Sequence, residues 1–568
     1  MAFDIQQVLR KNKKLKEEKQ PWNNHYQIIG EYIRIRKQNF TSTQIQGGFL
    51  VDDIFDSTAP MSNVKMAAAF MGALWPNGAK SMRIVQPHAI AESPEIKEYF
   101  KEFTTRLSLA MDSPKSGLAL SLDEYAQDQG AFGTCGVAVF EEDNIDHPIS
   151  YTTWDVKTMC IDENSKGVVD TVYNEKTYTV RDLVDKYGLK NVHTNVRKAY
   201  DNMKYDEKVN VLHAIEPRIK RNKKKKGNKN MPYASYHIDL DNKFLMKESG
   251  FEEFPVIVAR FSKCPDEKYG RSPSMLALPD ILELNAIRES RMLAVEKNLD
   301  PPIMVYDDGT LGGGEIDTSA GSVTVLSVTG RISGQRPVEP LYTVGEMQST
   351  QLHIEELKQT ITQQYYLDRL LDLNNETRMT LGEAQIRNKL RGDSLSAIFS
   401  RQELEFFTPL IERSINIMFN KGLLGVRRGS PEEALAKLRG ETPLIIPDAI
   451  QRRIDEGREA YEIQYVSPAK RMMQAEEVQG IMTTWEFAGN LAGAAPDIID
   501  HLDPDETIKR LAELTGAPSE IIRDLQSVKA IRSARQQMQQ QVAMLEAQRS
   551  ASESARNYAQ AENTGQGE

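Results

Sequence analysis

The chain reads as a helix-rich α+β protein built from several regions. Three observations carry that reading. Long stretches of helical hydrophobic period occupy both ends, and a β-rich middle lies between about residues 134 and 262. Two long helical patterns, over 273–298 and from 344, bracket a short β insertion. At 568 residues the chain exceeds what one hydrophobic core organises. A 40% hydrophobic content permits globular folding, while 27% charged residues and a mean hydropathy of −0.50 predict large wet surfaces.

From Ile5 to about Lys37 the pattern is helical, with a strongly charged first part. Residues 41–55 are polar and glycine-bearing and read as a loop or short strand. Helices are expected at 58–74, 94–112 and 121–131, with Asp56 or Ser57 as the N-cap of the first, because a side-chain oxygen there accepts an orphan backbone N–H. The runs Val137 to Phe140, Val168 to Tyr173 and Val256 to Val258 predict strands, interrupted by a helix from Val180 to Tyr187. Inside this region lies the basic run Arg218 to Lys226, with Lys220, Arg221, Lys223, Lys224, Lys225 and Lys226, followed by Gly227. Flanking strands make it a hairpin loop. A charge block of this kind is usually a solvated loop, the alternative being a contact with nucleic acid or an acidic partner; it lacks interleaved aromatics for base stacking.

Pro273 to Asn298 reads as one helix, stopped by Asp300-Pro301-Pro302. Ile303 to Tyr306 and Val323 to Val328 are strand-like, with glycine-rich turns between them. From Val344 an apolar stripe returns through Met347, Ile354, Leu357, Ile361 and Tyr365. Two helices bracketing a β insertion form a hairpin-like projection, a shape that serves assembly better than catalysis. Residues 368–376 read as a polar loop. A further helix starts near Thr380, where Glu383 completes a capping box. It carries Phe399, Leu404, Phe407, Leu410, Ile411, Ile415 and Met418 toward Asn420, with a kink expected at Pro409. Gly425 to Gly440 reads as a linker, Tyr461 to Val466 as a strand, and helices follow to about Lys529, broken at Leu514 to Pro518. From Ala530 to Tyr558 the thin stripe of Ala534, Met538, Val542 and Leu545 fits lateral helix association.

No catalytic constellation emerges. There is no G-x-x-x-x-G-K-[ST] loop, and Gly312-Gly313-Gly314 lacks its lysine. There is no G-x-S-x-G elbow, and His353-Ile354-Glu355-Glu356-Leu357 lacks the second histidine of a zinc-protease helix. None of the 8 histidines sits at ligand spacing with Cys or carboxylate. The 3 cysteines, Cys135, Cys160 and Cys264, are scattered and read as semi-buried thiols, not a disulfide framework. No cofactor is expected. No apolar run approaches the ~20 residues that cross a bilayer, and the first residues lack a signal-peptide core, so synthesis in a reducing cytoplasm is expected. A net charge of −10 argues against tight, counterion-releasing DNA binding; an acidic surface around a passing duplex instead keeps it moving.

A series of motifs runs in fixed order along the chain. Trp22 precedes Glu31-Tyr32-Ile33, the basic Arg34, Arg36 and Lys37, and Phe40-Thr41. Asp56-Ser57-Thr58-Ala59 leads into the small-residue helix of Ala67-Ala68-Ala69 and Gly72, ending at Leu74-Trp75-Pro76. Gly130-Ala131-Phe132-Gly133-Thr134, Tyr269-Gly270-Arg271-Ser272-Pro273, Pro301-Pro302 and Arg378-Met379-Thr380 follow. This series resembles the head-to-tail connector (portal) proteins of short-tailed, T7-like bacteriophages over nearly the whole chain. One stretch departs: the family often has a proline after the first aromatic helix, where this chain has Ile33-Arg34-Ile35-Arg36.

The resemblance implies a non-enzymatic portal-type subunit with wing, stem, clip, crown and C-terminal helical barrel, assembled into a ring, twelve-fold in the family, at one vertex of the virion head. It implies these divisions: helical segment and wing, 1–269; stem helices, 270–299 and 344–366; clip, 300–343; tunnel loop, 367–379; kinked helix and wing completion, 380–466; crown, 467–529; barrel helix and tail, 530–568. Asp368, Arg369, Asp372, Asn374, Asn375, Glu376 and Arg378 would lie nearest double-stranded DNA, although Arg369 and Arg378 would equally pair with Asp372 and Glu376. Tyr306, Asp307, Asp308, Gly312, Gly313 and Gly314 would meet the terminase packaging motor and later the tail adaptor and nozzle proteins. Major capsid and scaffolding proteins are the other implied partners, with no membrane. The competing readings are a soluble nucleic-acid-binding protein acting through the basic loop at 218–229 and a monomeric hydrolase.

Overall fold

The computed structural model describes residues 4–41, 48, 54–76, 78–87, 89–90, 93–219, 221, 227–299, 303–305, 338–340, 348–371, 394–438, 442–492, 496–515, 523 and 525–564. Expectations for Val323 to Val328, for 372–379 and for Lys220 and Lys223 to Lys226 lie outside these residues.

Helix α1 (Ile5–Tyr32) opens the chain, capped by Asp4, whose carboxylate accepts the Gln6 N–H at 2.9 Å. It stops at Tyr32, short of the Lys37 expected, and Arg34 and Lys37 turn back onto the buried Asp128 carboxylate. Helices α2 (Thr58–Leu74), α3 (Pro94–Met111) and α4 (Leu118–Phe132) form the helical core with α7 (Pro273–Leu299), α8 (Gln348–Gln364) and the short α9 (Leu367–Leu370). Phe70, Phe103, Phe132, Ile281, Ile361 and Tyr365 are among its buried residues. Strand β1 (Met82–Val85), between α2 and α3, pairs antiparallel with a strand nearly four hundred positions later, β12 (Glu462–Tyr465).

The β-rich middle forms two sheets. In one, β2 (Thr134–Glu141) is flanked by β3 (Ile149–Trp154) and β9 (Val256–Arg260). The other is a meander of β4 (Met159–Glu163), β5 (Val169–Thr179), β6 (Lys208–Pro217), β7 (Tyr233–Asp239) and β8 (Phe244–Phe251). Helices α5 (Val180–Tyr187) and α6 (Thr194–Asp201) cover one part of it with a separate apolar cluster. Val8 and Leu15 of α1 cover another. The buried Lys19 of α1 donates to the carbonyls of Val156, Lys157 (2.8 Å) and Met159 (2.9 Å), so its ammonium is satisfied where burial alone would disfavour it.

Two histidines are buried together in this sheet. The His213 and His237 rings stack at 4.0 Å; His213 Nε2 meets Ser235 Oγ and His237 Nδ1 meets the Tyr187 hydroxyl, each at 2.9 Å. Burial pushes His213 well below the usual range, reinforced by His237 and by Lys186, Lys176 and Lys247. Burial, with Lys186 and Lys247, pushes His237 down to about 3. The folded protein therefore holds both rings neutral while the unfolded chain protonates them near pH 6.5, and stability falls on acidification. At pH 5.5 each ring is expected to cost on the order of 1 kcal/mol relative to neutral pH. Urea unfolding followed at both pH values checks this, with His237→Asn removing part of the dependence.

Past the core, 394–402 (α10) is helical, a π-turn spans Glu403–Phe407, and α11 (Thr408–Asn420) continues. This π-turn lies just before Pro409, the position where a kink is expected; the proline sits in the first turn of α11 and donates no N–H to the ladder behind it. Leu404 departs from the apolar stripe read in the sequence: it is 73% exposed, because the π-turn rotates it out while Phe406 and Phe407 turn in. The stretch read as a linker carries α12 (Pro431–Leu438) and a bridge between Val426 and Ile445. Gly425 packs so closely there that a Cβ would stand 2.6 Å from Ile446. Helices α13 (Asp448–Asp455), α14 (Pro468–Ala492), α15 (Pro504–Thr515) and the long α16 (Leu525–Thr564) complete the chain. Arg510 pairs with Glu477 at 2.6 Å and Arg532 with Asp505, tying α14 to α15 and α15 to α16. Among the described residues no helix is long and apolar enough to cross a membrane.

Candidate functional site

Two of the sequence motifs meet at the foot of the α7–α8 pair, while Pro301-Pro302 and Arg378-Met379-Thr380 lie outside the described residues. The turn Gly130 to Gly133 lies directly against Tyr269 to Pro273. Gly133 adopts φ +70°, and a Cβ on it would stand 2.5 Å from the Arg271 carbonyl carbon; one on Gly270 would stand 2.3 Å from Gly133 O. Only glycines allow this approach. Ser272 and Ser274 donate to the carbonyls of Ala131 and Gly130, each at 2.7 Å, and Ser274 Oγ meets the Tyr365 hydroxyl at 2.6 Å. The two motifs, with the end of α8, thus clamp the start of α7. The buried Tyr269 hydroxyl accepts the Ile161 N–H at 3.2 Å. Arg271 points outward, over Trp22 at 5.3 Å and paired with Glu267.

Asp56 performs the second clamping. Ser57 occupies the N-cap position of α2 without a side-chain cap bond. Asp56 Oδ1 instead accepts the Thr58 N–H at 2.7 Å, while Oδ2 faces Arg288 of α7 at 3.1 Å and Lys358 of α8 at 3.4 Å. Asn285 Oδ1 accepts the Phe55 and Asp56 amides at 3.0 and 3.1 Å. Burial pushes the Asp56 carboxyl up, but the bonds from Thr58 and the charges of Lys358 and Arg288 outweigh it and hold it below the usual carboxylate range. Asp56→Asn removes the charge while keeping the shape, and is expected to cost about 1–2 kcal/mol in chemical denaturation.

From this foot α7 and α8 run antiparallel. Gln364 donates to Asp280 at 2.8 Å, His353 Nε2 meets Glu283 at 3.0 Å, and Arg291 donates to Gln351. Ile354, Leu357, Ile361 and Tyr365 are buried as their stripe requires. Buried residues on α7 end at Asn285; Ile287 packs against the core and Arg288 reaches Asp56, and past them no α7 residue is buried. Beyond it β10 (Ile303–Val305) pairs antiparallel with β11 (Val338–Pro340), a strand the sequence reading missed. Tyr306, Asp307, Asp308 and Gly312 to Gly314, expected between those strands, lie outside the described residues.

The expected loop at 367 begins as helix: Tyr366 turns the chain at φ +57°, and Asp368 and Arg369 sit on α9. Arg369 lies 3.9 Å from Asp368 and 5.9 Å from the Tyr366 ring centre. Asp372, Asn374, Asn375, Glu376 and Arg378 lie outside the described residues. In the basic hairpin, Arg218 is held by Glu248 at 2.8 Å and the Ser249 carbonyl, which leaves it a structural role; Arg221 is exposed. The cysteines divide into buried Cys135 and Cys160 and exposed Cys264, not three half-buried thiols. Among the described residues no three His, Cys, Asp or Glu side chains gather as a metal set.

The family profile described as bacteriophage head to tail connecting protein matches residues 5–522. The chain is 27% identical over 542 residues to the portal protein of Salmonella phage epsilon15, covering 93% of this chain and 91% of that one. It is 25% identical over 550 residues to the probable portal protein of Bordetella phage BPP-1, covering 94% and 91%.

Proposed function

Because the chain belongs to the bacteriophage head-to-tail connecting protein family, we propose how its parts serve the junction of head and tail. The protein is a portal protein, the connector between the two. The observation that carries the reading is the agreement with portal proteins over more than nine-tenths of both chains. Copies assemble as a ring at one head vertex, nucleate the head, conduct double-stranded DNA inward and later outward, and hold the tail.

In this reading the α7–α8 pair is the stem, and the segment between them, 300–343, is the clip that meets the terminase motor and then the tail adaptor and nozzle proteins. What supports it is the antiparallel pair, with no buried residue on the far part of α7 and a strand pair at its end. The sheets of 134–260 form the wing toward major capsid and scaffolding proteins. Helices α14 and α15 form the crown, and α16 extends it as a barrel. Support for the last is its exposed apolar stripe, with Met538, Val542 and Leu545 at 69%, 48% and 61% exposure, uncovered by its own chain. Residues 367–379, from Asp368 and Arg369 onward, form the tunnel loop beside DNA.

A phage lacking this chain tests the reading. Its heads are expected to be empty of DNA and without tails, with both restored by the protein supplied in trans. Filled, tailed heads in its absence would refute it.

A further inference from the structure

A helix on a protein surface carries charged residues on its outer side, and one that is apolar all round belongs in an interior. Helix α2 has a mostly apolar outer face in the position of a surface helix, its polar Ser62 and Asn63 being buried on the inner side. Its inner face buries Ala59, Met66, Ala67, Phe70 and Leu74. Its outer face, at helical spacing, is Met61 (51% exposed), Val64 (50%), Lys65, Ala68 and Gly72, and Lys65 is the only charged residue in the helix.

Gly72 adds an independent sign. A mid-helix glycine weakens a helix relative to alanine, and it usually has a steric reason. Gly130 has one: a Cβ there would stand 2.2 Å from Asn63 Oδ1. At Gly72 a Cβ would meet nothing within 4 Å. The fold supplies no need for its smallness; a close neighbour from outside does, and Ala68 lies one turn away.

A complementary surface exists elsewhere on the same chain. On α7, Leu282, Ala286, Glu289, Leu293 and Glu296 recur at alternating spacings of four and three, all exposed and turned away from Ile281 and Leu284 of the buried side. The stripe is apolar with carboxylates, where that of α2 is apolar with an ammonium. Among the described residues neither Lys65 nor Glu289 makes an ion pair. A ring requires two different surfaces that fit each other.

We infer that the outer face of α2 receives the outer stripe of α7 from the neighbouring copy, with Lys65 opposite Glu289. This rests on the ring-forming portal reading. The test compares full-length wild type, Gly72→Leu, Lys65→Glu and Lys65→Glu with Glu289→Lys, measuring the concentration for half-assembly by native mass spectrometry and, well below that concentration so that assembly adds nothing to it, the urea midpoint of the monomer. Gly72→Leu is expected to raise the assembly concentration at least about tenfold without lowering the midpoint, since its own chain leaves room. Lys65→Glu raises it several-fold, and the charge swap restores it. Wild-type-like assembly of Gly72→Leu would overturn the inference, as would a lowered midpoint, which would mean that the chain itself covers this face. Failure of the swap to restore assembly would overturn the α7 pairing. A wild type that forms no ring would instead refute the portal reading, and this inference with it.

Discussion

Arg260→Ala is expected to lower the free energy of unfolding by about 3–5 kcal/mol, the usual cost of removing one partner from a buried charge cluster. The Arg260 side chain is 3% exposed at the end of β9. Its guanidinium donates to Glu163 of the five-stranded sheet at 2.8 Å, to Glu405 of the π-turn at 3.1 Å, and to the Gly167 carbonyl at 2.9 Å. One side chain thus joins both sheets to the helical core. Alanine would leave the Gly167 carbonyl without this donor and strip Glu405 of its guanidinium bonds from residue 260, although Arg401 at 2.8 Å and the residue-260 N–H at 3.1 Å still reach Glu405 and Lys263 at 2.6 Å still holds Glu163. Arg260→Lys keeps the charge but not the planar fork, so a smaller loss is expected. Burial raises the Glu163 carboxyl, but Lys263 and Arg260 outweigh it and hold it below the usual range. The stabilisation is therefore present above the ordinary glutamate pKa and lost as pH falls through the lowered one. Urea denaturation of both variants, at neutral and acid pH, measures these effects.

Deleting 372–376 is expected to leave ring and head assembly intact while sharply lowering the packaged DNA per head. The segment carries Asp372, Asn374, Asn375 and Glu376 and follows directly on α9, whose Asp368 and Arg369 stand at the foot of the α7–α8 pair. The clamps that hold that foot, Ser274 with Tyr365 and Asp56 with Arg288 and Lys358, are all outside the deletion. Quantifying DNA in purified heads checks the expectation. An unchanged genome content would remove these residues from the DNA path.

The long helices were legible because a 3.6-residue period accumulates over many turns: 58–74 and 180–187 match to the residue, and α7 differs only at its end. Most strands of the meander were not. β6, β7 and β8 mix Lys208, Asn210, His213, Glu216, Tyr236, Lys247 and Glu248 with apolar residues, since parts of each face meet water or ion-pair partners. Strand β1 has four residues and gains its identity from pairing with β12, the strand read at 461–466; that partnership across the chain is what no local pattern announces. The site shows the same division. Its glycines and serines stood out as motifs, but their purpose is mutual: Gly133 is small because Arg271 passes over it. Asp56 read as a cap because capping is a local interaction; its partner Arg288 lies 232 positions away. Leu404 misled because a π-turn shifts the helical phase by which it was placed on the buried stripe.

The most direct measurement is the native mass of the purified chain together with its end-on view in the electron microscope. A closed ring of identical subunits around a central hole wide enough for duplex DNA is the expected result. A chain that stays monomeric at high concentration, and forms no ring when head proteins are added, would contradict the account.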